Sequence, residues 1–128
     1  MEQEYLIDTN TVIDYLGNKL PQEGMGFMHE IINRMPSISV ITKIEVLRFE
    51  APEVAYRVLT DFIGDCVVWD INEPVVEHTI ALCKGSRIKL PDAIIAATAL
   101  VHGYGLITRN TSDFKGVAGL TVVNPWEI

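Results

Sequence analysis

The sequence of 128 residues has few cysteines, no long apolar run and a shortage of basic side chains. Its two cysteines, Cys66 and Cys83, are too few for a disulfide scaffold and have no partners at zinc-ligand spacing. The longest apolar run, 93–101, is interrupted by Thr98 and is shorter than the roughly 18–20 residues that cross a bilayer. The acidic N-terminus lacks the basic-then-apolar pattern of a signal peptide. We therefore expect a reduced, cytoplasmic protein that does not associate with a membrane.

Lysine and arginine number 10 against 17 acidic residues, so the formal net charge is −7. Taken alone, this balance argues against a protein that holds nucleic acid by the charge of its whole surface. Repeats and low-complexity tracts are absent, and 48% of the residues are hydrophobic. This apolar content excludes a disordered chain, and the length predicts a single domain over residues 1–128.

What the sequence does contain is a series of short apolar runs separated by helical patterns. The runs at 5–7, 37–41, 66–69, 106–107 and 120–123 predict strands. Apolar spacing predicts helices up to about Leu16, over 22–34, after Thr42, after Pro52, over 73–84 and over 92–102. Thr9 or Asn10 is the expected N-cap of the first helix, and Thr42 that of the third. Short strands that are apolar on both faces and alternate with helices indicate an α/β domain with a mainly parallel central sheet.

Four acidic residues are predicted to lie near strand ends or helix starts. Asp8 ends the first strand, Glu45 falls in the first turn of the helix after the second strand, and Asp113 lies in the loop after the fourth. Asp92 follows Pro91 in the first turn of its own helix. Open parallel sheets bind ligands at the carboxyl ends of their strands, so these four acids are expected to converge there if the last helix also points its start at that edge.

A cluster of four carboxylates needs either protonation or a cation among them, because like charges repel. Oxygen ligands suit hard divalent cations, and two such ions can activate a water for phosphoryl transfer. The helix N-termini next to Glu45 and Asp92 would favour the ionised forms of both acids. The residues alone also leave open that each acid only caps its helix or complements the helix dipole.

The segments that carry these acids match a known family in the same order along the chain. The segments are LIDTN at 6–10, ITKIEVL at 41–47, LPDAIIAATA at 90–99, LITRNTSDF at 106–114 and LTVVNPW at 120–126. The chain resembles a PIN domain, and more narrowly a VapC-type toxin ribonuclease of toxin–antitoxin pairs. The resemblance implies a three-layer α/β/α sandwich with a parallel sheet. It also implies an endoribonuclease that depends on one or two Mg²⁺ or Mn²⁺ ions.

By position, the resemblance makes Asp8, Glu45, Asp92 and Asp113 the catalytic, metal-binding acids. The supporting residues that it implies are Thr9, Asn10, Thr108 and Asn110. Water activated by the metal would hydrolyse RNA phosphodiester bonds and leave 5′-phosphate and 3′-hydroxyl ends. Basic residues near the acids are candidates for RNA contacts, namely Lys43, Arg48, Arg87, Lys89, Arg109 and Lys115.

The resemblance also implies partners. They are a VapB-type antitoxin with a DNA-binding part, through which a larger assembly would reach operator DNA, and a second copy in a homodimer. Apolar residues within 22–62 would supply a partner surface or, for most of them, pack in the core: Met25, Phe27, Met28, Val54, Tyr56 and Phe62. Asp14 is expected to be a cap, a turn residue or a solvated position.

Two other functions stay open from the sequence. One is a metal-dependent phosphohydrolase of small phosphate esters, suggested by Asp8 directly after a strand, although position 10 is Asn10 and not a second aspartate. The other is a non-catalytic PIN-like interaction module, which the four intact acids disfavour.

Overall fold

The computed structural model describes residues 3–128 and has a five-stranded sheet at its centre. The strands are β1 (Tyr5–Ile7), β2 (Ser37–Ser39), β3 (Val67–Trp69), β4 (Gly105–Ile107) and β5 (Val122–Val123). The helices are α1 (Thr9–Leu16), α2 (Gln22–Asn33), α3 (Val40–Leu47), α4 (Glu53–Gly64), α5 (Glu73–Gly85) and α6 (Leu90–His102), and a 3₁₀ turn covers Thr111–Phe114. Within the described range, none of the helices is long and apolar enough to cross a membrane.

The strands lie in the order β3-β2-β1-β4-β5, and all neighbouring pairs are parallel. The chain moves outward from β1 through β2 to β3, and then adds β4 on the other side of β1. Strand order therefore reverses between β1 and β4, which is where open α/β sheets bind ligands. In this junction Leu6 pairs with Leu106 and Ile7 with Ile107, so Asp8 and Thr108 leave the sheet side by side.

Alternation of side chains along the strands gives the sheet two cores. Ile7 and Ile107 lie on one face, in a core shared with α1 to α4 through Val12, Met28, Val46 and Phe62. Leu6 and Leu106 lie on the other face and pack against α6 through Ile95, Ala96 and Ala99. The predicted α/β/α sandwich with a parallel sheet is confirmed.

The N-cap predicted for α1 is wrong by one or two residues. Asp8 caps the helix, because its side chain accepts a hydrogen bond from the backbone N–H of Thr9 at 2.8 Å. The predicted caps Thr9 and Asn10 lie in the first turn, where their side chains face the end of the sheet and bond to other residues.

The start of α3 is also earlier than predicted. β2 ends at Ser39, and the Ser39 hydroxyl caps α3 by accepting from the backbone N–H of Ile41 at 3.1 Å. Thr42, the predicted cap, is fully buried inside the helix. Glu45 consequently lies in the second turn of α3, so its predicted position in the first turn is wrong.

Helix α4 exposes part of its apolar surface. Leu59 and Phe62 are buried, whereas Val54 is 81% exposed and Val58 is 46% exposed. The helix therefore contributes both to the core and to an apolar surface.

Candidate active site

Asp8 lies at the end of β1 and is held by hydrogen bonds to both carboxylate oxygens. Its Oδ1 accepts from the backbone N–H of Thr9, and its Oδ2 accepts from the Thr108 hydroxyl at 2.8 Å and from the Asn10 amide at 3.2 Å. Burial raises the pKa of Asp8, the bonds from Thr108 and Thr9 oppose this rise, and the Glu45 carboxylate adds to it. Because the environment disfavours its charge, Asp8 would be stabilised by a nearby cation.

Glu45 on α3 is joined to the start of α1 through a threonine pair. The Thr9 hydroxyl donates to Oε1 of Glu45 at 2.6 Å and lies 3.2 Å from the hydroxyl of Thr42. A hydroxyl has one proton, and the carboxylate is the nearer acceptor, so the buried Thr42 hydroxyl is left to donate to Thr9. These contacts hold Glu45 in the same cleft as Asp8.

Asp92 lies in the first turn of α6, as predicted. The pKa of Asp92 is raised to about 6, first by burial and then by the carboxylates of Asp8, Asp113 and Glu45, while Lys89 lowers it. The three other predicted acids therefore lie near enough to Asp92, at the carboxyl edge of the sheet, for their charges to act on its carboxylate. Burial and repulsion outweigh the expected preference of the helix N-terminus for an ionised Asp92.

Two clefts meet at Asp92. The larger has a volume of about 580 Å³ and contains Asp8, Glu45 and Arg48 in its lining. The smaller has a volume of about 320 Å³, and its lining includes Asp113 together with the basic residues Arg87 and Lys89. Because Asp92 lines both clefts, an extended ligand that crosses it would meet acids at the centre and a cation on each side.

The four predicted supporting residues lie close to the acids. Thr9, Asn10 and Thr108 bond directly to a carboxylate, as described above. Asn110 lines the larger cleft, and its backbone N–H donates to the Thr108 hydroxyl at 3.1 Å.

The six predicted basic residues are distributed unequally. Arg48, Arg87 and Lys89 line the two clefts, whereas Lys43 and Lys115 are exposed and line neither. The sixth, Arg109, directs its guanidinium away from both clefts to an acid on α1.

That acid is Asp14, and its predicted place at a cap, turn or solvated position is wrong. It is 5% exposed, and its Oδ2 accepts from Arg109 Nη1 at 3.0 Å and from Trp126 Nε1 at 2.9 Å. One signal was present, since Asp14 lies one helical turn beyond Asn10 and so on a similar side of α1. Its partners, however, are 95 and 112 residues away along the chain, a separation that no local pattern reveals.

The side chains that line the two clefts suit a hard divalent cation. Carboxylates, hydroxyls and amides are present, and neither cleft contains histidine or cysteine in its lining. Within residues 3–128, no three acidic, histidine or cysteine side chains form a group that could enclose one ion. Mg²⁺ is commonly bound through one or two carboxylates and keeps several waters, so this open arrangement suits it better than Zn²⁺.

The raised pKa values predict that the metal-free protein loses stability as the pH rises. Asp92 has a pKa of about 6 in the folded protein against an ordinary value of 3.8, so the unfolded chain gives up this proton first. Its contribution to the free energy of unfolding is therefore present below about pH 4 and is lost as the pH rises through about 6. Asp8, whose pKa is also raised, acts in the same direction.

Thermal unfolding in the presence of a chelator, at about pH 4 and about pH 7, measures this contribution. The Asp92→Asn variant should show a smaller loss of melting temperature between the two conditions than the wild-type protein. An identical loss in both proteins would contradict the expectation.

Comparison with known proteins assigns the chain to a family. The PIN domain family matches residues 5–120. The chain is 34% identical to a chain of a toxin–antitoxin complex from Klebsiella pneumoniae, with 98% of this chain and 100% of that chain covered and a TM-score of 0.79. It is 26% identical to a chain of DNA-bound VapBC from Salmonella typhimurium, with 97% and 99% covered and a TM-score of 0.81.

A curated relative, a VapC ribonuclease from Sinorhizobium fredii, is 49% identical over 47 residues. That match covers 37% of this chain and spans about a third of the relative's length, 33%. The family match, in contrast, covers most of the chain, and the resemblance predicted from the sequence is confirmed. The chain therefore belongs to the PIN-domain family, as a VapC-type member.

Proposed function

We propose that this protein is a metal-dependent endoribonuclease, the toxin of a VapBC-type toxin–antitoxin pair. Its catalytic, metal-binding acids are Asp8, Glu45, Asp92 and Asp113. The observation that carries the proposal is that Asp92 lies where two clefts meet and that burial and then the three other carboxylates raise its pKa. Three carboxylates whose charges act on a fourth suit a site that binds cations and, through them, phosphate.

Mg²⁺ or Mn²⁺, as one or two ions, is the cofactor that this donor set fits. Asp8 and Asp92 would hold the principal ion, Glu45 would bind it directly or through water, and Asp113 would hold a second ion or orient water. When bound, the cation supplies an activated water and positive charge for the phosphate under attack.

The neighbouring polar residues fix the positions of these acids. The Thr108 hydroxyl holds Asp8, and the Thr9 hydroxyl holds Glu45. A carboxylate has about four lone-pair positions. Asp8 accepts three hydrogen bonds and retains about one position for a ligand, whereas Glu45 accepts one from Thr9 and retains more. Groups that are already oriented before the substrate binds need little reorganisation in the transition state.

Basic residues on both sides of Asp92 would contact the RNA backbone. Arg48 lines the larger cleft, and Arg87 and Lys89 line the smaller one. Two bound divalent cations would also change the formal net charge from −7 to about −3, with the change confined to the acidic cleft. RNA binding would then be local and metal-assisted, which reconciles an acidic protein with a nucleic-acid substrate.

The protein partner is a VapB-type antitoxin, which would carry the pair to operator DNA, and a second copy of the chain would form a homodimer. The two similar structures, a toxin–antitoxin complex and a DNA-bound VapBC, support this proposal. A cytoplasmic location is part of this proposal, and the proposed RNA substrate and DNA-bound partner support it.

An apolar groove beside the larger cleft supports the proposal that this face binds the antitoxin. Of the apolar residues considered from the sequence, Met28 and Phe62 are core residues, whereas Val54 is exposed. The groove is lined by Ile13, Leu16, Gly17, Phe49, Ala51, Ala55, Val58 and Leu59. It shares Ile13 and Phe49 with the larger cleft, so an antitoxin segment lying in the groove would continue towards the acids.

The proposed function is tested by incubating the purified protein with RNA and Mn²⁺ and determining the chemistry of the product ends. We expect cleavage with Mn²⁺ or Mg²⁺, none in chelator, and products with 5′-phosphate and 3′-hydroxyl ends, because water attacks the phosphorus and the 3′-oxygen departs. Cleavage that persists in chelator and leaves a cyclic phosphate would indicate attack by the RNA 2′-hydroxyl and would contradict the proposal. Turnover of p-nitrophenyl phosphate with the RNA left intact would instead favour a phosphohydrolase.

A further inference from the structure

Asp14 joins three separate parts of the chain at one carboxylate oxygen. The oxygen Oδ2 accepts from Arg109 Nη1 at 3.0 Å and from Trp126 Nε1 at 2.9 Å. Asp14 is on α1, Arg109 is in the segment that follows β4, and Trp126 is in the C-terminal tail. The Asp14 side chain is 7% exposed and that of Arg109 is 49% exposed. A short bond from a guanidinium to a buried carboxylate is stronger than an ordinary surface ion pair.

Arg109 connects Asp14 to the proposed active site through hydrogen bonds. Its backbone N–H donates to Oδ1 of Asn10 at 3.0 Å. The preceding residue, Thr108, donates to Asp8 at 2.8 Å and accepts from the backbone N–H of Asn110. The segment 108–110 is therefore bonded to the site through its backbone and Thr108, and to Asp14 through the side chain of Arg109.

Trp126 connects Asp14 to the C-terminal tail. The carbonyl oxygen of Pro125 lies so close to Gly24 on α2 that a Cβ at that position would collide with it. The backbone N–H of Trp126 is bonded to the Asn124 side chain at 2.9 Å. The two donors to Asp14 thus belong to different segments, 108–110 and the C-terminal tail. The tail begins beside the site, since the backbone N–H of Thr108 donates to the Val123 carbonyl at 3.0 Å, and it then continues to its contact with α2.

We propose that Asp14 is a positioning residue of the ribonuclease, which acts through Arg109 on the segment 108–110. Asp14 lines neither cleft, so it does not touch the substrate. It orients the segment that holds Asp8 through Thr108 and that leads into the 3₁₀ turn with Asp113. The bond from Trp126 attaches the tail to the same oxygen, and we assign it no direct part in this positioning because the indole N–H reaches Asp14 and not the segment 108–110. The inference rests on the proposed function.

Three variants separate the two bonds. Asp14→Asn and Arg109→Gln each break the ion pair, whereas Trp126→Phe removes only the indole N–H that reaches the same oxygen. Displacements of about 1 Å at an active site cost up to ~100-fold in rate, so we expect the first two to lower kcat for RNA cleavage about 10-fold with KM changed less than about twofold. Trp126→Phe should lower Tm and leave kcat unchanged. Asp61→Asn, an exposed acid on α4, controls for the loss of one negative charge.

The double variant Asp14→Asn/Arg109→Gln tests whether the two residues act through one contact. It should lose about as much kcat as either single variant, because partners in one interaction are not additive. Calorimetric titration with Mn²⁺, in the absence of RNA, should give a lower affinity for the ion-pair variants than for Trp126→Phe. If Asp14→Asn does not fold, Arg109→Gln carries the test, since the Arg109 side chain is half exposed.

An equal loss of kcat in Trp126→Phe and Arg109→Gln would overturn the inference, and so would a multiplicative loss of about 100-fold in the double variant. These outcomes leave the proposed function intact, because the wild-type protein would still cleave RNA. A wild-type protein that does not cleave RNA would refute the proposed function itself, and the Mn²⁺ titration would then still test the connection between Asp14 and the acids.

Discussion

Asp92→Asn is expected to abolish RNA cleavage while the protein stays folded. Asp92 lies at the junction of the two clefts, and the three other acids all act on its pKa. Asparagine has nearly the same size but no negative charge, so the site loses a carboxylate that would hold the cation. Loss of one oriented electrostatic group typically costs about 10²–10³-fold, and we expect at least this loss in kcat/KM.

The same substitution should not destabilise the metal-free protein at neutral pH. The pKa of Asp92 is raised to about 6, so its negative charge is disfavoured in the folded state, and removing the charge relieves repulsion with the other acids. Cleavage rates and thermal unfolding of the wild type, Asp92→Asn and the charge-matched Asp61→Asn measure both effects. Undiminished cleavage by Asp92→Asn would contradict the assignment of the site.

Replacement of Asp8 should have a comparable effect on cleavage and, for one of two variants, a large effect on stability. Asp8→Asn and Asp8→Ala both remove the carboxylate and should both lose cleavage. Asp8→Ala also removes the N-cap of α1, and it leaves the fully buried Thr108 hydroxyl without its carboxylate acceptor. A lost cap costs about 1 kcal/mol and an unpaired buried polar group about 1–3 kcal/mol.

Asp8→Asn retains a side-chain oxygen that can still accept from the backbone N–H of Thr9, so it should be clearly more stable than Asp8→Ala. Urea unfolding of the two variants beside the wild type measures the difference. Equal free energies of unfolding for the two variants would show that the hydrogen bonds of Asp8 do not stabilise the fold. Cleavage at the wild-type rate by either variant would show that Asp8 is not a catalytic acid.

The elements of the fold could be predicted where local chemistry agrees with tertiary packing. For α6, Pro91 in the first turn and Gly103 at the C-terminal cap, with φ of 70°, fix both ends of the helix. The end of β2 could not be predicted, because Val40 and Ile41 favour a strand by propensity. The Ser39 cap and the packing of α3 against the sheet place both residues in a helix instead.

The acids could be chosen from their positions at strand ends and helix starts, but the contacts that hold them could not. The bond between Thr108 and Asp8 depends on β4 lying next to β1. Strand order cannot be predicted from a local sequence pattern. The bond between Thr9 and Glu45 depends on how α3 packs beside α1. The direction of the pKa shift of Asp92 depends on burial and on three carboxylates from elsewhere in the chain.

The central claim is that Asp8, Glu45, Asp92 and Asp113 bind one or two divalent cations around Asp92. Calorimetric titration of Mn²⁺ into the wild type, Asp92→Asn and Asp61→Asn, without RNA, tests it most directly. Even the outer partners of a metal ligand contribute about 10–100-fold to affinity, so Asp92→Asn should bind Mn²⁺ at least about 10-fold more weakly than the wild type. Asp61→Asn should bind as the wild type does. Equal Mn²⁺ affinity of Asp92→Asn and the wild type would contradict the claim.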